Sequence, residues 1–569
     1  MKKHLIAMLA MGAAASPSYA AEILIPDDVA TLELALNPAV SEIVPGDTIV
    51  LRGGLYTGTF NVGIQDIMIR PFAGDTVTID SSSTGSVFTC GPAGSGLVLE
   101  DLTISGGGAS QGGGIFANTT SVTIRRCTFR NHEATNDGGA IYANASTLVI
   151  EDSLFENNTL ALPNTVDDGG AIFAQLGADI TIAGTTFRNN HANARGGAIA
   201  VFTGAVLTVT DCFFEMNTSS QDGGAILAVT GTDVVISGTT FRNNETSIRG
   251  GAVAIFDNTA LMMASCLFET NECQFDGGAI AFFAGSRGAV TDTILQGNTA
   301  GNTGGGIYCN SSWPDFIRCT FTENQALGNG GGAAALQGET AEEVEFFDCL
   351  LYNNTAQVNG GALLTRAGPD PRMYSCTIVG NQIVDTAFGN GGGIWETDGA
   401  TATSLYNCIL RDNVPTQYPV IRTNIAFYCN ISGGELSGNT AIIDQDPMFV
   451  DAAGGDFRLM PGSPSIDAGD ITLFFDDVTP IDLDGNDRCV TDPDTLAMGG
   501  GTGVGSMRLY TDHGAYEFQP DLSCTSDCVG DTTTTGATLD GQPGFGEPDG
   551  VIDLDDLGFF LGQWLAGCP

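Results

Sequence analysis

Three sets of residues in this chain have the types and spacing to do chemistry. The first is Asp549-Gly550-Val551-Ile552-Asp553-Leu554-Asp555-Asp556. Carboxylates at Asp549, Asp553 and Asp556, the Val551 carbonyl and a turn glycine at Gly550 match the second half of a calcium-binding loop. Asp531, Asp540 or Glu547 would complete the shell. The second set is aromatic: Phe116, Tyr142, Phe173, Phe202, Phe256, Phe283, Tyr308 and Trp395. Each stands one or three places after a recurring apolar residue, so together they would line one outward stripe of a strand array, suited to sugar rings or a protein partner. A reversed inward–outward assignment, or a terminal segment lying over the stripe, would instead make the same rings core. The third set, Arg366, Asp370, Arg372, Glu396 and Asp398, falls in longer loops toward the end of the repeats. It offers acid and base groups for cleaving a polysaccharide, and equally suits mere solvation of those loops.

What must position these residues is a repeat. From Gly112 to Asn413 a glycine pair, a small residue and an apolar residue recur eleven times, as in Gly138-Gly139-Ala140-Ile141 and Gly223-Gly224-Ala225-Ile226. About fifteen residues after each comes a second phrase, such as Phe155-Glu156-Asn157-Asn158 or Phe241-Arg242-Asn243-Asn244. The apolar anchors from Ile115 to Ile394 are spaced 26 to 31 residues apart, most often 27. A fixed period of this size means stacked units, none of which buries its own apolar face alone. Short β-branched runs such as Leu148-Val149-Ile150 and Val234-Val235-Ile236 alternate with Gly and Asn turns, and helical spacing is absent. Three short strands and three turns per repeat make one coil of a parallel β-helix, an all-β solenoid. Coils about 4.8 Å apart give the eleven repeats a length of roughly 50 Å. Phe should then stack on Phe inside, and Asn amides should bond from coil to coil at a turn.

The charges follow a longer period. After the Phe slot the residues run Arg130, Glu156, Arg188, Glu215, Arg242, Glu269, and before the glycine pair Asp137, Asp168, Arg195, Asp222, Arg249, Asp276. Opposite charges thus meet on neighbouring coils, which gives them a structural job. Seven cysteines, Cys127, Cys212, Cys266, Cys319, Cys349, Cys376 and Cys408, share one repeat slot with Ser153, Thr185, Thr239 and Thr293. That interchange reads as a ladder of small buried side chains, with inter-coil disulfides open from Cys319 to Cys408. Cys489, Cys524, Cys528 and Cys568 are the better disulfide candidates.

Residues 1–20, with Lys2-Lys3, an apolar run and Ser18-Tyr19-Ala20, read as a secretory signal. Those are the only lysines, so without them 18 arginines face 66 acidic residues, a formal net charge of −48. Such a surface repels nucleic acid and polyanions and suits cations or neutral glycans. Nothing after the signal is apolar enough to span a bilayer as a helix. Residues 21–111 read as a cap and first irregular coils: a strand at Glu22 to Ile25, then a helix from Asp27 to Leu36 with Asp27 or Asp28 as N-cap. Residues 112–413 are the regular coils. Residues 414–520 close the solenoid, with an Asp482-Leu483-Asp484-Gly485-Asn486 segment that is a second calcium candidate or equally well only a turn, and residues 521–569 form a small calcium-loop and helix cassette with Leu557, Phe560, Leu561 and Trp564 on one face.

The opening resembles that of many secreted right-handed parallel β-helix proteins. The Gly-Gly-Ala-Ile and Phe-x-x-Asn phrases resemble the repeats of polymorphic outer-membrane proteins over about 300 residues, which implies a cell-surface, adhesin-like role. Those proteins end in a membrane β-barrel, and the residues after the repeats here are too few and too rich in Gly and Asp for one. The block from Asp446 to Glu517 resembles the choice-of-anchor domain that closes many exported β-helices. The last forty residues resemble a dockerin-type cassette, which implies bound Ca²⁺ and a cohesin-like anchoring partner. Phe545 stands where that cassette's first ligand belongs, and only one half-motif is present.

Two functions follow as expectations. One is a surface-held rod, adhesin-like or carbohydrate-binding, that needs no organic cofactor. The other is a polysaccharide lyase or hydrolase, with Arg366, Asp370, Glu396 and Asp398 as its groups. A lyase needs a base, usually with Ca²⁺, yet no lysine follows the signal, and His132, His191 and His513 stand in no catalytic-looking setting. The balance favours the rod.

Overall fold

The computed structural model describes residues 21–518 apart from 40–42, 83–84, 93–95, 162–166, 339–342, 388, 398–401, 416–425, 434–439, 471–480 and 487–510. The chain winds through four parallel sheets, numbered here in the order a coil meets them after its glycine pair. Sheet I has 13 strands, from Phe60–Val62 to Ile394–Glu396; sheet II has 16, from Glu22–Ile25 to Ala426–Phe427. Sheet III has 15, from Gly54–Thr57 to Asn430–Ile431, and sheet IV has 10 two-residue strands, from Glu133–Ala134 to Gln382–Ile383. Sequence periodicity yields three strands per coil and misses the fourth, because two residues are too few to show alternation.

One coil shows why the sequence turns where it does. After Gly223-Gly224 come Ile226–Ala228 in sheet I, Asp233–Ser237 in sheet II, Thr240–Arg242 in sheet III and Glu245–Thr246 in sheet IV. Left-handed residues bend the chain between them: Gly231 at φ 64°, Gly238 at φ 57° and Asn243 at φ 53°. The two glycines of a pair do different work. Gly223 adopts φ 66°, whereas a Cβ on Gly224 would lie 2.1 Å from the carbonyl oxygen of Gly251 in the next coil.

Inside, Phe129, Phe155, Phe187, Phe214, Phe241 and Phe268 stack with centroids 4.6 to 5.0 Å apart. At the corner between sheets III and IV the asparagines form a continuous amide ladder. Asn244 Nδ2 donates to Asn271 Oδ1 at 3.0 Å and to the Phe214 carbonyl at 3.0 Å, while its Oδ1 accepts from Asn217. The Cys/Ser/Thr slot makes a second ladder. The Cys266 amide donates to Thr293 Oγ1 at 3.3 Å, and the Cys319 amide faces Cys349 Sγ at 3.5 Å. Any side chain that accepts one amide and donates to a carbonyl two residues back fits there, hence the interchange. The eleven described cysteines are free and buried, and burial pushes the Cys212 and Cys266 thiols up to about 11.

The amino-terminal helix is shorter than expected, spanning only Leu32–Leu36, with Thr31 as its N-cap. Asp28 instead accepts the Leu24 amide at 2.9 Å, and Asp27 pairs with Arg52 at 3.0 Å, so both acids fasten the turn before the helix. Leu32, Ala35 and Leu36 join the main core at its open end. At the other end the chain lies along the side of the solenoid. Strands Phe449–Asp451 and Asp456–Leu459 form an antiparallel hairpin, and Phe457 and Ala515 pack on Leu350, Tyr352 and Val379 of sheet III. The Ala515 amide donates to Thr377 Oγ1 at 2.9 Å and the Gly514 amide to the Asn407 carbonyl at 2.8 Å. No helix among the described residues is long and apolar enough to cross a membrane.

Candidate functional site

Alternation along sheet I sends the first and third residues of each strand into the core and the second and fourth positions outward. Phe116, Tyr142, Phe173, Tyr308 and Trp395 occupy the second position. Phe202, Phe256 and Phe283 occupy the fourth, in the coils whose second position is Ala200, Ala254 or Ala281. A ring at the end of the strand or just past it therefore fills the space that an alanine leaves, and with Leu227 and Val229 in the coil between Phe202 and Phe256 one apolar column continues along the rod. Successive centroids stand 5.4 Å apart for Phe116–Tyr142, 5.5 Å for Tyr142–Phe173, 5.3 Å for Phe173–Phe202 and 4.9 Å for Phe256–Phe283. These rings form clusters separate from the main core, and most are half-buried.

Their orientation corrects the expectation of sugar-stacking platforms. Interplanar angles of 7° and 6° at Phe116–Tyr142–Phe173 turn the ring faces along the rod axis, where the neighbouring rings occupy them. Solvent meets the half-buried rings, Phe116, Phe202, Phe256, Phe283 and Trp395, at their edges, whereas Tyr142, Phe173 and Tyr308 are buried. Beside them runs a row of amides in the fourth position: Asn144 Nδ2 donates to Asn118 Oδ1 at 2.8 Å, and Gln175 Nε2 donates to the Tyr142 hydroxyl at 2.6 Å. Tyr308 donates to Gln337 Oε1 at 3.2 Å, and burial pushes its phenol up to about 12.

The corner before the glycine pair borders this face. Arg195 grips Asp168 through Nε at 3.1 Å and Nη2 at 2.8 Å, and its guanidinium lies 5.0 Å from the Phe202 centroid. Arg249 repeats the arrangement with Asp222 at 2.8 and 3.2 Å, over Phe256 and Phe283. Burial pushes the Asp168 carboxyl up to about 6 even though Arg195 pulls it down, and raises Asp222 for the same reason. Both oxygens of each are taken, so these are fastened structural pairs.

Among the described residues the expected acid–base group does not assemble. Arg366 ends the sheet I strand Leu363–Arg366, and Asp370 starts the sheet II strand Asp370–Tyr374, so neither is a loop residue. Glu396 stands in register with Thr365 and is buried, its carboxylate accepting the Thr403 amide. It therefore points into the solenoid. Asp398 lies outside the described residues. Asp370 and Arg372 do come together, in a patch on the outer face of sheet II whose Glu343, Glu345 and Asp315 the sequence did not single out. There Arg372 reaches Asp370 at 3.4 Å, Glu345 at 3.8 Å and Glu343. On the preceding strand burial pushes the Asp315 carboxyl up to about 6, even though a hydrogen bond from the Glu345 backbone pulls it down. Its signal was legible: an aspartate at an outward strand position, two residues after Trp313.

The calcium-loop residues Asp549, Val551, Asp553 and Asp556, with Asp540 and Glu547, lie outside the described residues, as do the signal and the other C-terminal cysteines. Asp482 accepts the amides of Asn486 at 2.7 Å and Glu517 at 2.9 Å, which makes it the fastener of a turn. Among the described residues no three His, Cys, Asp or Glu side chains converge to hold a metal.

A family model described as right handed beta helix region matches residues 55–232, 113–291 and 206–346, which together cover just over half of the chain. The chain belongs to this right-handed β-helix family. No curated protein sequence matches it. Similar solved structures include the periplasmic alginate epimerase AlgG, 11% identical over 74% of this chain and 83% of that one, with a TM-score of 0.34. A mannuronic acid specific polysaccharide family 6 lyase from human gut microbiota is 13% identical over 66% and 91%, TM-score 0.33. PfbA, a surface adhesin of Streptococcus pneumoniae, is 12% identical over 48% and 83%, TM-score 0.26. At these values the likeness carries nothing about activity.

Proposed function

We propose that the protein is an exported, surface-held rod that binds extracellular polysaccharide along the outer face of sheet I and is anchored by a calcium-dependent C-terminal cassette with a cohesin-like partner. The observation that carries this reading is the pairing, on that face, of a column of aromatic edges with amides at Asn118, Asn144, Gln175, Asn310 and Gln337. Ring edges give apolar contact and amides give both donors and acceptors, which is what a chain of sugar hydroxyls requires. A rung spacing of about 4.8 Å lets such a polymer make repeated weak contacts. The chain's acidity favours neutral glycans.

A second reading is polysaccharide cleavage, favoured by the Asp315 carboxyl, which burial raises, next to Glu345, whose carboxylate in turn faces Arg372. A glycan array and a depolymerisation assay on the same protein, with and without Ca²⁺, separate the two. The first reading expects retained glycans and no new reducing or unsaturated ends, with binding lost in a Gln175→Ala, Gln337→Ala double variant. New ends that vanish in Asp315→Asn would replace it with the second.

A further inference from the structure

The corner between sheets IV and I carries an unbalanced charge at one place only among its described residues with a buried acid. Two residues before the glycine pair the sequence places Asn136, Asp167, Ala194, Gln221, Ile248 and Phe275 in successive coils. Asp167 is the one charge in that row. It is 3% exposed, and its Oδ2 has no hydrogen-bond partner. The Asp137 carboxylate of the preceding coil lies close by, since its Oδ1 accepts the amide of Asp168 at 3.2 Å and its Oδ2 receives only Gln111 Nε2 at 3.4 Å. Asp167 and Asp137 act on each other electrostatically. The nearest cation helps them only from a distance: Arg195 acts on Asp137 through its charge, but spends Nε and Nη2 on Asp168 and lays its guanidinium against Phe202. Three carboxylates and one guanidinium leave a formal charge of −2 in a largely buried corner. An oxygen anion there without a partner is costly, so something must neutralise it.

We propose that Asp137 and Asp167 bind a hard divalent cation of the calcium or magnesium class at this corner. The donors are carboxylate oxygens with an amide side chain nearby, and such ions complete their shells with water and backbone carbonyls. The site joins two consecutive coils beside the amino-terminal part of the sheet I face, and it is separate from the C-terminal cassette.

The test uses the full chain, stripped with a chelator and then titrated with CaCl₂ or MgCl₂ while thermal unfolding is followed by near-ultraviolet circular dichroism. The wild type and an Asp549→Asn variant should both gain several degrees in Tm on adding one of the ions. Asp167→Asn and Asp137→Asn should lose that response, and in chelator Asp167→Asn should melt above the wild type because the amide removes a buried charge. An unresponsive wild type, or an Asp167→Asn protein that responds as the wild type does, overturns the proposal. The second result would mean that the Asp167 carboxyl is simply held neutral.

Discussion

His132 shows how narrowly the solenoid specifies a buried polar atom. It occupies the slot that Asn158, Asn190, Asn217 and their successors hold in later coils, and it reproduces their bonding. Its Nδ1 accepts the Gly107 amide at 3.0 Å, where an asparagine would use Oδ1, and its Nε2 donates to the Ile104 carbonyl at 3.1 Å, where an asparagine would use Nδ2. Its own amide donates to Asn158 Oδ1 at 3.2 Å. A proton on Nδ1 would confront the Gly107 N–H, and burial lowers the imidazole to about 4, against 6.5 when unfolded, with Asp80 the nearby charge opposing the shift. The unfolded chain therefore binds the proton first as pH falls. The stability due to a neutral His132 is whole above pH 6.5 and is lost progressively between 6.5 and 4, amounting to about 3 kcal/mol at the low end. His132→Asn keeps the hydrogen bonds and removes the titration. The pH dependence of urea unfolding, compared between the two proteins, should show the variant gaining on the wild type across that window; parallel curves would contradict the assignment.

At the scale of elements, the outward row of sheet III after the Phe slot records where the closing block lies. It runs Arg130, Glu156, Arg188, Glu215, Arg242, Glu269, Gln296, Thr322, and then Tyr352 and Val379. Charge gives way to apolar residues at the coils that Phe457 and Ala515 cover. Val379→Glu restores the earlier pattern under the block, where a carboxylate would have to be buried, at a cost of about 3 kcal/mol. Limited proteolysis should then cut within 446–518 while the coils up to Asn324 stay protected; continued protection of the block would show that another surface holds it. The charged part of that row, from Arg130 to Glu269, was legible in the sequence, and so were three strands of each coil, the glycine corners and the Phe and Asn ladders, because each repeats with the coil. What the sequence hid is set by packing at one place. The two-residue strands of sheet IV carry no period, Thr31 takes the helix cap because Asp27 and Asp28 fasten a turn, and the direction of the ring faces depends on neighbours 5 Å away. Glu396 reads as a loop acid until its register with Thr365 turns it inward.

For the molecule as a whole, the question is whether its charge stabilises or strains the rod. Most of the described arginines pair with acids on nearby coils, as Arg188 does with Glu156 at 2.8 Å and Arg242 with Glu269 at 2.6 Å. Their side chains are 42% and 41% exposed, so such pairs contribute about 0 to 1 kcal/mol each. With 66 acidic residues against 20 basic ones, most carboxylates have no such partner. Because each coil touches only its neighbours, repulsion between stacked carboxylates such as Glu245 and Glu272, which stand in register, adds coil by coil along the rod. At about 0.01 M ionic strength charges interact over roughly 30 Å, several coils away, and at 1 M over only about 3 Å. Salt should therefore weaken many repulsions and few attractions. Thermal unfolding in a chelator-containing buffer should shift upward by several degrees between low and high NaCl. A downward shift would mean that the coil-to-coil ion pairs, few as they are, outweigh the excess of negative charge.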